Sequence, residues 1–156
     1  MTNAYVYSTI VDAIEAAITA AFVPTTFSAI TIEEDTEPKT IQSLPHFNVR
    51  ALSVQSNPKG PNAGVTSVDD LYRFEIVCAY SMPPALGTTA GLAMRIKFVH
   101  ATLLRAKLQS TATFAGVANL PYMVGFDPKN RNPRFEGAQT WRATFECHAQ
   151  SNYFPT

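Results

Sequence analysis

The sequence predicts an α+β domain in which an antiparallel or mixed sheet of about five strands packs against two amphipathic helices. The strongest evidence is the segment Asp69–Tyr80, DDLYRFEIVCAY, whose residues alternate between an apolar and a mixed face. A period of two is typical of a β-strand. The apolar face of this strand consists of Tyr72, Phe74, Ile76, Cys78 and Tyr80, and other parts of the chain must cover it. The segment Gln139–Ala149 repeats this pattern, and two segments with helical periodicity can supply the cover.

Length and composition indicate one domain, residues 1–156, with the element order α-β-β-β-α-β-β. The chain has ordinary single-domain size, and it contains no internal repeat or linker-like stretch. Charged residues make up 15% of it, against roughly 25% in typical domains. We therefore expect part of the surface to lie against other subunits, unless a large core accounts for the low charge. No run approaches the ~20 apolar residues of a membrane span, so no membrane partner is expected.

The first helix is predicted over residues 3–22 and ends before Pro24. Its apolar residues form one stripe at helical spacing: Tyr7, Ile10, Val11, Ile14, Ala17, Ile18 and Ala21. A short strand, Ala29–Glu33, follows. An acidic loop, Glu33–Pro38, comes next and contains three candidate contact residues: Glu33, Glu34 and Asp35. The second strand is predicted over residues 46–55.

Two polar segments are predicted to be long loops, at residues 56–68 and 127–137. The first, Ser56–Val68, has two prolines, two glycines and no apolar period, and we expect it to become ordered when the protein docks on a partner. Lys59 and Asn62 in this loop are candidate contact residues. The second, Asp127–Gly137, is equally polar and carries three basic residues.

The second helix is predicted at about residues 89–109 and has apolar residues on two sides. We assign the core face to Leu92, Ile96, Val99, Leu103 and Ala106. A second patch on the outer face supplies further candidate contact residues: Met94, Phe98, Ala101, Arg105 and Leu108. The helix is covered on both sides either by its own chain or, on the outer side, by a neighbouring subunit.

The last two strands are predicted at Pro121–Asp127 and Gln139–Ala149. In the first of these, Tyr122, Val124 and Phe126 share a face. The central and last strands each carry an arginine and a glutamate opposite their apolar face. Antiparallel pairing would therefore build a charged ladder on the outer face of the sheet from Arg73, Glu75, Arg142 and Glu146.

No motif for catalysis, metal binding or phosphate binding is present in the sequence. His46, His100 and His148 are scattered and lack metal-ligand spacing. Cys78 and Cys147 lie in strands and are expected to be buried free thiols. Cys147 and His148 are adjacent in a strand, so their side chains point to opposite faces. We therefore expect no enzyme activity, no cofactor and no metal.

The charges are distributed unevenly although the formal net charge is zero. Residues 1–70 hold eight acidic and three basic residues, and residues 71–156 hold four acidic and nine basic residues. Opposite patches on one subunit suit a head-to-tail ring. The alternative is that the two halves pack together and the charges mix on the surface.

Four segments carry a resemblance to a known family. YVYSTIVDAIEAAI opens the chain, DDLYRFEIVCAY follows the polar loop, and RIKFVHATLLRAKL and TWRATFECHAQSNY come after it. In this order they resemble the tail terminator proteins of long-tailed bacteriophages, over almost the whole chain but without a signature motif.

The resemblance implies a virion protein that is made in the host cytoplasm and forms a ring, as a hexamer. The ring would cap the head-proximal end of the tail tube, stop tube polymerisation and join the tail to the head. Its partners would be the tail tube protein and a head-completion or connector protein, with DNA passing through the lumen without specific binding. No enzyme activity is implied, and no individual functional residue is carried over.

Three other interpretations remain open. The chain could be a tail tube subunit or another neck or connector subunit, although a tube subunit should be richer in strand. It could be a small ligand-binding or enzymatic α+β domain, which predicts convergent polar groups between the helices and the sheet. It could also be an unrelated dimer that uses the outer face of the second helix.

Overall fold

The computed structural model describes residues 3–35, 44–62, 65–81, 90–110, 121–129 and 138–153. In these ranges the elements are α1 (Asn3–Phe22), β1 (Thr31–Glu34), β2 (His46–Asn62), β3 (Val65–Ser81), α2 (Ala90–Leu108), β4 (Tyr122–Asp127) and β5 (Ala138–Tyr153). The predicted α+β class and element order are confirmed. Neither described helix is long and apolar enough to cross a bilayer.

The strands form one mixed sheet in the order β1-β2-β3-β5-β4. β1 is parallel to β2, and the other three pairings are antiparallel. β3, which contains the segment DDLYRFEIVCAY, is the central strand and pairs with β2 and β5 along nearly its whole length. β5 lies between β3 and β4 although it follows β4 in the chain.

Both helices pack on the face of the sheet that carries the two predicted apolar rows. The five apolar side chains of the β3 row are buried, and so are the five of β5: Trp141, Ala143, Phe145, Cys147 and Ala149. Phe22, at the end of α1, joins the helices to the sheet through ring contacts with Phe47 (5.0 Å between centroids) and His100 (5.6 Å). Fully burying side chains of this size stabilises a fold by roughly 1.5–3 kcal/mol each.

The two helices divide the sheet between them. Tyr7 of α1 stacks on Tyr72 of β3, with 6.5 Å between ring centroids. Phe98 of α2 contacts Phe126 of β4 at 5.2 Å. α1 therefore covers the side of the sheet that ends in β1, and α2 covers the side that ends in β4.

The predicted loop at residues 56–68 is wrong, because β2 continues to Asn62 and β3 already begins at Val65. β1 accompanies β2 only as far as Val49, so beyond that residue β2 has no neighbour on that side among the described residues. Edge strands tolerate proline because one row of amides needs no partner, which explains how Pro58 and Pro61 are accommodated. Because the segment is paired strand within the single chain, the expected ordering on docking has no basis.

The paired strands run well past the helices. A strand of 17 residues spans about 56 Å, whereas a helix of 20 residues spans about 30 Å. The distal part of the sheet consists of β2 from Gln55, β3 up to Leu71 and β5 from His148, which are aligned in register. We call this three-stranded part the blade.

The predicted core face of α2 is wrong in part. Leu104 and Leu108 are fully buried, together with Ala101, whereas Val99 is 56% exposed and Ala106 is also exposed. Two polar residues share the buried face: Lys97 Nζ donates to the Pro128 carbonyl (2.7 Å), and His100 Nδ1 accepts from Trp141 Nε1 (3.0 Å). Because these partners lie elsewhere in the chain, a hydrophobicity pattern places both residues on the surface.

Two smaller predictions also need correction. Glu33 and Glu34 belong to β1, so of the predicted acidic loop only Asp35 is described outside a strand, and residues 36–38 lie outside the described ranges. In β4 a register shift between Met123 and Gly125 breaks the alternation, so Tyr122 and Val124 are exposed while Phe126 packs on the core. Of the predicted loop at 127–137, Asp127 ends β4 and residues 130–137 lie outside the described ranges.

Candidate assembly surface

The outer face of α2 carries an exposed stripe of apolar and basic residues. Phe98 is 52% exposed and Met94 is 42% exposed. With their neighbours these side chains line an open groove of about 470 Å³. We define the α2 stripe as Met94, Arg95, Phe98, Val99, Thr102 and Arg105. An apolar surface of this kind, rimmed by charge, is typical of a protein contact.

The helical period explains why the stripe lies where it does. The buried side chains Lys97, Ala101, Leu104 and Leu108 recur every three or four residues. The positions opposite them on the helix therefore face outward. α2 contains four basic residues and no acidic residue, and three of the four are exposed: Arg95, Arg105 and Lys107. Burial lowers the pKa of the fourth, Lys97.

A second charged surface lies at the other side of the subunit, where α1 meets β1. We define the acidic edge as Asp12, Glu15, Glu34 and Asp35. α1 carries no basic residue. Burial, and after it the charges of Glu34 and Asp12, raise the pKa of Glu15. Like charges are therefore crowded together in this part of the single chain.

The predicted charged ladder on the outer face of the sheet is confirmed. Arg73 lies directly opposite Glu146, and its Nη2 and Nε donate to Glu146 Oε1 at 2.6 and 3.2 Å. Tyr122 Oη donates to the second oxygen of the same carboxylate at 3.2 Å. Its hydrogen bond with Arg73 lowers the pKa of Glu146.

A second ion-pair group on this face centres on Glu75, which is buried beneath two arginines. Arg50 Nη1 and Arg142 Nε lie 3.5 Å from its two carboxylate oxygens. Arg50 Nε also donates to Asp35 Oδ1 at 3.0 Å, so one member of the acidic edge already has a basic partner within the chain. Each of these carboxylates therefore has a basic partner, and the ladder joins β2, β3 and β5 through side-chain ion pairs.

His100, Cys78 and Cys147 are buried in the core, and burial favours their neutral forms. Burial lowers the pKa of His100 to about 4 and raises that of Cys147 to about 12. Burial also raises the pKa of Cys78, and both thiols are free, as predicted. A buried thiol with a raised pKa is a poor nucleophile. In the part of the chain that is described, no three metal-ligating side chains converge.

The cavity described between α1 and the sheet is too small to hold a ligand. The cavity there has a volume of about 10 Å³ and is lined mostly by apolar side chains of α1, β2 and β3. That volume corresponds to about one water molecule, whereas ligand pockets occupy ~300–1,000 Å³.

The predicted contact residues fall into three groups. Met94, Phe98 and Arg105 are exposed on the α2 stripe, as expected. Ala101 and Leu108 are 7% and 0% exposed, so placing them on the outer face was wrong: the helix is rotated so that they complete the core. The other predicted contact residues lie in or next to strands: Glu33 and Glu34 in β1, Asp35 after it, and Lys59 and Asn62 in the blade.

Three members of the stripe were missed from the sequence: Arg95, Val99 and Thr102. The spacing of Leu92 and Ile96 predicts a core position for Val99, whereas the structure exposes it. The signal that could have located them is the row of residues 97, 101, 104 and 108. If a lysine is accepted at a buried position, this row fits the helical period better than the predicted core face does.

The fold and its surfaces define the chain as an α+β domain with one covered sheet face and two unlike charged surfaces at its sides. Comparison with known proteins adds no family to this description, since no family model matches the chain and no curated protein matches it.

Proposed function

We propose that this chain is a structural virion protein, a ring-forming tail terminator at the head-proximal end of a phage tail tube. The observation that carries the proposal is the presence of two unlike surfaces, the α2 stripe and the acidic edge, on opposite sides of one subunit. A closed head-to-tail ring needs two different complementary patches on each subunit. The sequence resemblance supports a hexamer as the number of subunits.

In such a ring the blade provides a third surface. The blade extends beyond the helices, so it can reach a neighbouring layer of protein that the α1 and α2 surfaces do not face. The ring stops tube growth if the surface that meets the tail tube protein resembles a tube layer and its other surface does not. That other surface would meet a head-completion or connector protein, and DNA would pass through the lumen without specific binding.

A second candidate function within the same class is a tail tube or other neck subunit. The observation that favours it is the strand content: the strands hold more of the described residues than the two helices, because β2 and β3 are longer than the sequence predicts. A tube subunit stacks its rings without limit, whereas a terminator forms a single ring. The rival function, a ligand pocket between the helices and the sheet, is disfavoured by the small volume of the cavity described between α1 and the sheet.

The experiment that tests the proposal is the mass of the purified chain by light scattering at two concentrations and two salt levels, followed by electron microscopy. We expect closed single rings, or a monomer that shifts toward rings as concentration rises. Stacks of rings would favour the tube subunit. The protein should then be mixed with tail tubes and the tube ends observed by electron microscopy. A cap of protein on one end would support the terminator directly, and a monomer that leaves the tube ends bare would contradict it.

A further inference from the structure

The sheet order places the two charged surfaces at opposite sides of the subunit. β1 and β4 are the two outermost strands. The acidic edge includes β1 and the helix over β2 and β3, whereas α2 contacts β4 and β5 through Phe126 and Trp141. A subunit translated or rotated sideways therefore brings its α2 stripe toward the acidic edge of the next copy.

We propose that the α2 stripe of one copy docks on the acidic edge of a second copy, in a head-to-tail contact. This inference rests on the proposed function and names the contact that would close the ring. The stripe is basic without any acid on its helix, and α1 is acidic without any base. Complementary charge of this kind steers subunits and fixes their orientation.

Shape and crowding favour the same pairing. The exposed side of α1 carries small residues, Ala16, Thr19 and Ala20, beside its acids, so bulky side chains such as Phe98 can approach closely. Burial and then the nearby charges of Glu34 and Asp12 raise the pKa of Glu15, and arginines that approach the cluster offset the repulsion among these acids. A symmetrical contact of two stripes would instead bring the arginines of one copy against those of the other.

The test uses one charge reversal in each surface. Arg95→Glu places a negative charge in the stripe, and Glu34→Lys places a positive charge in the acidic edge. We expect each variant alone to raise the concentration at half assembly by roughly tenfold or more, because like charges then face each other. Lys107→Glu is the matched control: it makes the same charge change on the exposed surface of the same helix, about 80–180° around the axis from most of the stripe, and we expect it to assemble like the wild type.

Mixing the two reversed variants makes the test specific. In an alternating ring half of the contacts join the two substituted surfaces, whose introduced charges are opposite, and the other half join two wild-type surfaces. An equimolar mixture should therefore assemble at a concentration at which neither variant assembles alone. The double variant, with both reversals in one chain, should assemble by itself. Native mass spectrometry of the mixture should show equal numbers of the two chains in each ring.

The possible results separate this inference from the proposed function. Closed rings that persist in both variants, or fail to return in the mixture, overturn the contact but leave the terminator function standing. Open filaments that follow the reversal and rescue pattern support the contact and count against the terminator. A dimer that Glu34→Lys leaves intact while Arg95→Glu alters it indicates a stripe-to-stripe contact and overturns the inference. A wild-type chain that stays monomeric and also leaves the ends of added tail tubes bare overturns both.

Discussion

Protonation of His100 should make the fold sensitive to acid. Its Nδ1 accepts the hydrogen of Trp141 Nε1 at 3.0 Å, which a protonated ring cannot do, and its side chain is only 3% exposed. Burial lowers the pKa of His100 from 6.5 to about 4 in the folded chain. Between these two pH values the unfolded chain takes up a proton on His100 that the folded chain does not. The contribution of neutral His100 to the free energy of unfolding is therefore fully present above pH 6.5 and is lost as the pH falls toward 4.

The size of the effect follows from the shift. One pKa unit corresponds to 1.36 kcal/mol, so the full shift of His100 changes the free energy of unfolding by about 3 kcal/mol. Between pH 7.5 and pH 5 the free energy of unfolding should fall by about 2 kcal/mol. The assay is urea unfolding at one protein concentration across this pH range, for the wild type and for His100→Gln. Glutamine does not titrate and its carbonyl can accept the Trp141 hydrogen, so the variant should lose about 2 kcal/mol less than the wild type by pH 5.

The control is His148→Gln, which makes the same substitution on the outer face of the sheet and leaves the hydrogen bond between Trp141 and His100 in place. Other titrating groups are shared by wild type and variant and cancel in the comparison. Parallel stability curves for the wild type and His100→Gln between pH 7.5 and pH 5 would refute the reasoning, whatever the absolute stability of the variant.

Three further predictions concern the ladder, the thiols and the blade. Arg73→Met should move the pKa of Glu146 back up toward its ordinary value, measured by NMR titration, whereas Arg50→Met should leave it in place; equal shifts in both variants would contradict the pairing. Because Arg73 is half exposed, the change in stability should stay at or below about 1 kcal/mol. Both cysteines should be unreactive toward a thiol reagent at pH 8 in the native chain and fully reactive in urea, and a thiol that reacts in the native chain would show that its strand opens. In hydrogen exchange, the β3 amides at 66–71 should all exchange slowly because β3 is paired on both sides. From residue 55 onward β2 is paired only with β3 among the described strands, so its amides should alternate between slow and fast exchange. Uniformly fast exchange in β3 would show that the blade is not formed.

The central part of the fold could be predicted because its side chains report their own environment. Where one face of a strand meets helices and the other does not, burial imposes a period of two, and β3 and β5 show it over ten or so residues. The same alternation placed Arg73 and Glu146 on the outer face, and antiparallel pairing of the two strands then predicted the ion pair that the structure contains.

The blade could not be predicted because pairing of backbone does not require any pattern of side chains. Residues 56–62 form strand because β3 offers them hydrogen-bonding partners, and their prolines are admissible because no described strand pairs with the other side of β2 there. A sequence records neither the presence of a partner strand nor the absence of one. Proline and glycine were therefore interpreted as loop signals.

The α2 stripe was predicted only in part for a different reason. Lys97 and His100 occupy the buried face because each has a specific partner, the Pro128 carbonyl and the Trp141 indole, which lie in other elements. Without knowledge of those partners, a rotation of the helix about its axis that buries Val99 gives an equally good apolar face. Helices with two competing faces are settled by tertiary contacts rather than by their own periodicity.

The position of β5 has a consequence for how this chain reaches its folded state. Among the described strands β4 pairs only with β5, and one side of β3 also pairs with β5. Because β5 is the last of these strands to be synthesised, neither of these pairings can form until it has been made. The contacts that complete the sheet join residues such as Arg73 and Glu146, which are 73 positions apart, a separation typical of slow folding. While the ribosome makes the segment between β3 and β5, the apolar row of β3 has only one neighbouring strand. Nascent chains close to one another are then able to associate through that row, so the interval before the last strand emerges is the period in which this protein is most exposed to misassembly.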